Sequence, residues 1–284
     1  MSYTKPHFIW DSRKEDVDEF AKHLIDEFGE ASIEECDVVV SVGGDGTLIY
    51  ALDQAVGMGK PFYGLTTSDT TTSRGFLTDH DVRTADDLRK KLDNAYETEL
   101  PALKGTIKFK SGITITEYTY TDIVIKAHMS DRLQAATLDV TAIFNDATGA
   151  HQAAQQTQRI TADGIIFSTP ISTTGYSASN NAAPVDLRVS SITLSGIAPY
   201  QPIGLRTNPP VFSPETQFNV VPPPKSYDKR KLGVLIGGSN EFHSAEKEND
   251  PIVEIRIEAA PEKKGVLLTS KHPSMLAFES LRNV

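Results

Sequence analysis

Asp45 lies inside Gly43-Gly-Asp-Gly-Thr47, one carboxylate among three glycines and a hydroxyl. Glycines let backbone come close to a ligand and adopt φ > 0 where a turn needs it. A helix-compatible segment follows at residues 48–56. Its N-terminal N–H groups and positive dipole end would face an anion held over the loop. A carboxylate repels phosphate, so Asp45 in a phosphate cradle makes sense if it holds a metal ion. It makes equal sense as the base that takes a proton from a hydroxyl attacking phosphorus. The alternative is a glycine-rich strand-to-helix turn in which Asp45 caps the helix. The residues leave these readings open.

A second run concentrates short donors. After Asp163-Gly and the apolar Ile165-Ile-Phe167, residues 168–179 carry seven Ser and Thr in twelve positions, broken by Pro170 and Gly175. Such a density of hydroxyls is poor core material and suits contact with ribose and phosphate oxygens. Asp163 precedes the strand, where its carboxylate would accept from a ribose hydroxyl or an amide. The other reading is an exposed Ser/Thr loop followed by an N-capped helix.

The elements that must position these residues differ between the two halves of the chain. Val38–Val42 is a short, almost purely β-branched run bounded by turn signals, which suits a strand buried on both faces of a parallel sheet. Residues 7–10 and 62–65 are further short strand candidates. Apolar residues at helical spacing over 16–28 end at Gly29, and Thr84 N-caps a helix over 84–92. Strand and helix alternate here as in a small doubly wound sheet. Residues 66–74 form a Thr/Ser-rich loop, read either as a phosphate-contacting lid or as an ordinary surface loop. After about residue 98 the pattern becomes period-2, at 106–110, 113–118, 121–126, 138–144, 158–162, 191–194, 217–221, 231–236 and 252–258. That texture predicts antiparallel strands with one buried face. The cleft between an α/β half and a β-rich half is the natural place for a ligand.

Composition excludes several function classes. A chain of 284 residues with 39% hydrophobic and 23% charged residues is ordinary for a globular protein. The net charge of −10, from 28 basic and 38 acidic residues, argues against nucleic acid as a partner. Cys36 is the single cysteine, so no intramolecular disulfide framework exists, and a buried site in a reducing cytosol is expected. No apolar run approaches the roughly 18 residues a membrane span needs, and the N-terminus lacks the apolar core of a signal peptide. A soluble, cytoplasmic protein without a membrane partner is the expectation.

Gly43-Gly-Asp-Gly-Thr47 and Asp163-Gly-x-x-x-Ser-Thr-Pro-x-x-x-Thr-x-Tyr-Ser177, in this order and spacing, resemble the NAD kinase family. The resemblance extends over most of the chain. It implies an α/β doubly wound N-terminal domain over 1–98 and an all-β, sandwich-like C-terminal domain over 99–264. A last segment, about 265–284, would return to the first domain. The implied activity is transfer of the terminal phosphoryl group of ATP, or sometimes of polyphosphate, to the adenosine 2′-hydroxyl of NAD, giving NADP. The site would lie in the interdomain cleft, with Mg²⁺ or another divalent cation as cofactor and no residue assigned as its ligand. Carried over by motif, Asp45 would be the base facing the 2′-hydroxyl. Gly43, Gly44, Gly46 and Thr47 would shape the phosphate loop. Asp163 would sit near the nicotinamide amide or ribose, and Thr174, Tyr176 and Ser179 would line the adenine and ribose pocket. Thr121, Asp122 and Ser168 complete the NAD-binding set, and a homodimer or homotetramer is implied.

The sequence departs from the family pattern at four places. Thr121-Asp122 stands where the family has Asn followed by Glu or Asp, and Ile171 and Ser172 replace a hydroxyl residue and a glycine. Asn181-Ala-Ala-Pro184 replaces Gly-Gly-Pro, and a longer Thr/Ser loop follows Gly64. These changes cluster at the dinucleotide and leave Asp45 intact. They keep two alternatives in view: a kinase of the same fold acting on another nucleotide or a lipid-like alcohol, and a non-catalytic dinucleotide sensor.

Overall fold

The structure is a computed structural model that describes residues 3–67, 75–127, 135–145, 153–223, 232–238, 240–243 and 250–279. Residues 68–74 of the Thr/Ser-rich loop lie outside the described residues. The chain divides into two compact units. One takes the chain to Leu100 together with Asp186–Arg188 and the residues from Glu262 on; the other takes Pro101–Val185 and Val189–Pro261.

In the first unit, β1 (Pro6–Trp10), β2 (Val38–Val42) and β3 (Pro61–Leu65) pair in parallel. All five residues of β2 are buried, as a strand covered on both faces requires. The far edge of β3 is shared. The last strand, β18 (Gly265–Thr269), runs parallel to its first three residues, and the two-residue β4 (Thr78–Asp79) pairs with Gly64 and Leu65. Beyond β18 lies β5 (Tyr96–Leu100), antiparallel. Helix α1 (Glu15–Phe28) buries Val17, Ala21 and Leu24, opens on three acidic residues that complement its dipole, and ends at Gly29. Helix α3 (Ala85–Asp93) starts with a capping box between Thr84 and Asp87. Both helices share one apolar cluster with Val38, Val40 and Val42 of β2. Helix α2 (Asp45–Gln54) buries Leu48, Ala51 and Leu52. It begins three residues before the apolar spacing predicts, because Gly44 takes the N-cap position and Asp45 already lies in its first turn.

The second unit is a sandwich of two antiparallel sheets. Among the described residues, one sheet runs β10 (Ala154–Ala162), β9 (Ala136–Phe144), β14 (Thr216–Val221), β17 (Ile252–Ala259), β6 (Leu103–Phe109), β7 (Thr114–Thr119). The other runs β13 (Val211–Phe212), β12 (Ile192–Ile197), β11 (Gly164–Ser168), β8 (Asp122–Ala127), β15 (Leu232–Ile236), β16 (Asn240–His243). Ile107, Val140, Phe218 and Ile255 of the first meet Ile123, Phe167, Leu194 and Val234 of the second in one apolar cluster. The Phe167 and Phe218 ring centroids stand 4.9 Å apart at its centre. Two short α-helices, α4 (Gly204–Thr207) and α5 (Pro273–Glu279), lie late in the chain. No helix among the described residues is long and apolar enough to cross a membrane.

Candidate functional site

The Gly43-Gly-Asp-Gly-Thr47 run leaves β2 through two glycines at φ 144° and 111°, a region closed to ordinary side chains. A Cβ on Gly43 would stand 2.6 Å from Thr47 Oγ1. The N–H groups of Gly43 and Gly44 donate to the Leu65 carbonyl at 2.9 and 3.2 Å, which ties the turn to β3. The Gly44 carbonyl then accepts from Thr47 and Leu48 and opens α2, with no side chain capping it. The capping alternative therefore fails to describe Asp45. Its half-buried carboxylate accepts from Phe76 N at 3.1 Å, Leu77 N at 3.1 Å and Thr78 Oγ1 at 3.2 Å. Two backbone donors and a hydroxyl thus fix the carboxylate plane. Gly46 is exposed and Thr47 half-buried beside it.

The segment that supplies these donors is itself buried from Phe76 to Asp79. Gly64, paired with Thr78, has no room for a Cβ, which would stand 2.7 Å from Thr78 Cγ2 and 3.1 Å from the Leu77 carbonyl oxygen. Close approach of β3 and β4 is what brings residues 76–78 within reach of Asp45. Nothing in the sequence of Gly75-Phe-Leu-Thr-Asp79 marks this segment, because a two-residue strand offers no periodic signal.

In the β unit two of the predicted dinucleotide residues, Asp122 and Ser168, lie on the face of the β8–β11–β12 sheet that points away from the sandwich core. Asp122, Ser168 and Thr193 stand directly opposite one another across the three strands, while Ile123, Phe167 and Leu194 occupy the core face. Ser172 donates to Asp122. Burial pushes the Asp122 carboxyl above its ordinary value and the Ser172 bond lowers it in part. Tyr176 is about half exposed; burial, and then the charge of Asp122, raise its phenol above the usual value. Thr121 pairs with Thr119 at 2.9 Å, and Ser177 donates to Ser168 at 2.8 Å, all four buried. Thr174 donates to the Ile171 carbonyl at 3.3 Å and the exposed Ser179 to Tyr176 at 2.7 Å. Asp163 is exposed at the start of β11, and its carboxylate has no hydrogen-bond partner among the described residues.

Residues 168–179 correct the expectation that so many hydroxyls make poor core material. Ser168, Thr169, Ser172, Thr173 and Ser177 are all buried. They are tolerated because each finds a partner: Thr169 donates to the Tyr120 carbonyl at 2.5 Å and Thr173 to the Pro170 carbonyl at 2.6 Å. The chain forms 3₁₀ turns at Pro170–Thr174 and Ala178–Asn180 in place of a capped helix. Thr193 and Ser195 on β12 are buried with no side-chain partner among the described residues. Their face is therefore rich in hydroxyls beyond those the motif names.

Asp45 and the glycine loop are thus assembled in the α/β unit, and Asp122, Ser168, Ser172 and Tyr176 in the β unit. Ser172 and residues 76–78 are the participants that motif reading missed. Ser172 is visible in the sequence only as a departure from the family pattern. Among the described residues no group of three or more His, Cys, Asp or Glu side chains is arranged to hold a metal ion.

Residues 151–265 match the family model described as the ATP-NAD kinase C-terminal domain. An NAD kinase of Xylella fastidiosa strain 9a5c is 28% identical over 247 residues, covering 87% of this chain and 83% of its own. An NAD kinase of Xanthomonas campestris pv. campestris strain 8004 is 26% identical over 245 residues, 86% of this chain and 84% of its own. The crystal structure of yeast NADH kinase complexed with NADH superposes with a TM-score of 0.74 at 15% identity, over 100% of this chain and 88% of that one. That of an NAD kinase from Archaeoglobus fulgidus in complex with ATP gives 0.64 at 20% identity, over 99% of each chain. The two solved structures share the fold of this chain.

Proposed function

We propose that this chain, a member of the NAD kinase family, transfers the terminal phosphoryl group of ATP to the adenosine 2′-hydroxyl of NAD. The observation that carries the reading is the Asp45 carboxylate, held by three donors from residues 76–78 beside the Gly43–Gly44 turn. Asp45 takes the proton from the 2′-hydroxyl as it attacks phosphorus. Gly43, Gly44, Gly46 and Thr47 supply close backbone and a helix N-terminus to phosphate oxygens. Asp122, Asp163, Thr174, Tyr176 and Ser179 contact the dinucleotide, with Thr121 and Ser168 supporting them from beneath through their buried pairs. The named relatives, aligned over most of their length, support the substrate pair.

A divalent cation fits this donor set as one carried by the triphosphate and water, since the described residues form no carboxylate cage for it. When bound it would neutralise charge that develops on the phosphate oxygens. The protein's own share is then to orient hydroxyl and phosphoryl group and to hold the accepting carboxylate in place. The reading also carries a homodimer or homotetramer, which sedimentation of the purified chain would test.

The activity is tested by incubating the chain with ATP, Mg²⁺ and NAD and reading NADP with a dehydrogenase specific for it. NADP formation is the expected result. Dinucleotide binding by calorimetry without NADP formation would contradict the reading and turn attention to another acceptor or to a sensor.

A further inference from the structure

We propose that Asp79 is a positioning residue for the Asp45 carboxylate, acting through the β4 segment that it anchors to Tyr63, Ser270 and Lys91. The inference rests on the assignment of Asp45 as the base. Among the described residues, three donors on Asp45 belong to residues 76–78, a stretch whose regular structure is limited to the two residues of β4. Backbone pairing with Gly64 and Leu65 and the bond from Thr66 N to the Asp79 carbonyl, 2.9 Å, hold it from one side.

The side-chain anchor is Asp79, which is buried. Ser270 Oγ donates to one carboxylate oxygen at 2.6 Å. The Tyr63 hydroxyl donates to the other, and Lys91 Nζ stands 3.6 Å from that same oxygen. Burial and the neighbouring Asp79 charge push the Tyr63 phenol far up, so it stays a donor at any working pH. The three partners come from different elements: Tyr63 from β3, Lys91 from α3 and Ser270 from the turn after β18. A cavity of about 10 Å³, room for no more than a water, is left between residues 76–79 and Leu268, Ser270 and Leu276. The aim of the base is thus set by a buried carboxylate next in sequence to Thr78.

Removing the Asp79 charge leaves Lys91, Ser270 and Tyr63 facing a weaker acceptor and frees β4 to shift. A shift at 76–78 moves Asp45 against its hydroxyl without touching either substrate, so turnover suffers and affinity does not. Full-length wild type, Asp79→Asn and Tyr63→Phe would be assayed for NADP formation, with binding sites counted by calorimetric NAD titration. We expect kcat per site to fall on the order of ten- to a hundredfold in Asp79→Asn, with KM for NAD and ATP within about twofold. Tyr63→Phe keeps the ring volume and carries the test if Asp79→Asn does not fold; its kcat per site falls in the same direction by about threefold or more. In an Asp45→Asn background, Asp79→Asn lowers the residual rate no further, because the two act through one group. A wild-type kcat per site in the folded variants overturns the proposal, as does a further loss on the Asp45→Asn background. Wild type that forms no NADP, or Asp45→Asn that keeps the full rate, overturns the assignment of Asp45 and this inference with it.

Discussion

At Asp122 burial and hydrogen bonding pull in opposite directions. Burial raises the carboxyl above its ordinary value, and the Ser172 hydroxyl offsets only part of that. A raised value in the fold means that the folded protein binds the proton more tightly than the unfolded chain. The contribution to stability is therefore greatest below the unfolded carboxyl value and is lost as pH rises through the folded one. Asp122→Asn removes this penalty while keeping the shape. We predict a higher Tm for the variant at about pH 8, a gain that shrinks as the pH falls towards about 4, and weaker NAD binding. Thermal scans across pH check it, and a lower Tm at the alkaline end would contradict the burial argument. At this scale Asp45 and Asp163 stand out as candidates because their neighbours in sequence are unusual, and Asp122 only through the family resemblance. Ser172 and the donors at 76–78 do not, because what makes them matter is a partner distant in sequence.

The loop between β2 and α2 is the element on which the site depends, and its geometry follows from two glycines. Alanine at Gly43 would have to adopt φ near 144° and push on Thr47 Oγ1. We predict that Gly43→Ala lowers unfolding stability by about 1–3 kcal/mol and lowers kcat as well, measured by urea titration and the NADP assay. Wild-type behaviour in both would mean that the loop tolerates a different path. Elements with strong patterns were readable: the valine-rich β2, the helical spacing of α1, the Thr84 N-cap of α3 and the alternating strands of the β unit. Those without them were not. Strand β5, Tyr-Glu-Thr-Glu-Leu, buries only two of its five residues at the end of its sheet, so its pattern is mostly polar. Strand β4 is too short to have a period, and the Ser/Thr run folds inward because its hydroxyls satisfy one another and nearby carbonyls.

Over the whole chain, the α/β sheet is completed by a strand from near the end of the sequence. Strand β18 sits between β3 and β5, and Ser270 just beyond it reaches Asp79. Nothing in the spacing of residues 265–269 says which sheet they join, since pairing partners so far apart leave no local trace. We predict that a chain ending after Pro261 loses the α/β unit's cooperative unfolding and all NADP formation. It should keep the β-type circular dichroism of the sandwich, whose strands lie between Leu103 and Ala259. Full activity from that truncated chain would contradict the topology. In the proposed reaction Asp45 takes the proton from the acceptor hydroxyl, and the decisive variant is Asp45→Asn in the intact chain. NADP formation should fall by a factor on the order of 10² to 10⁴, with calorimetric NAD affinity held within about threefold. An Asp45→Asn protein that forms NADP at the wild-type rate would contradict it.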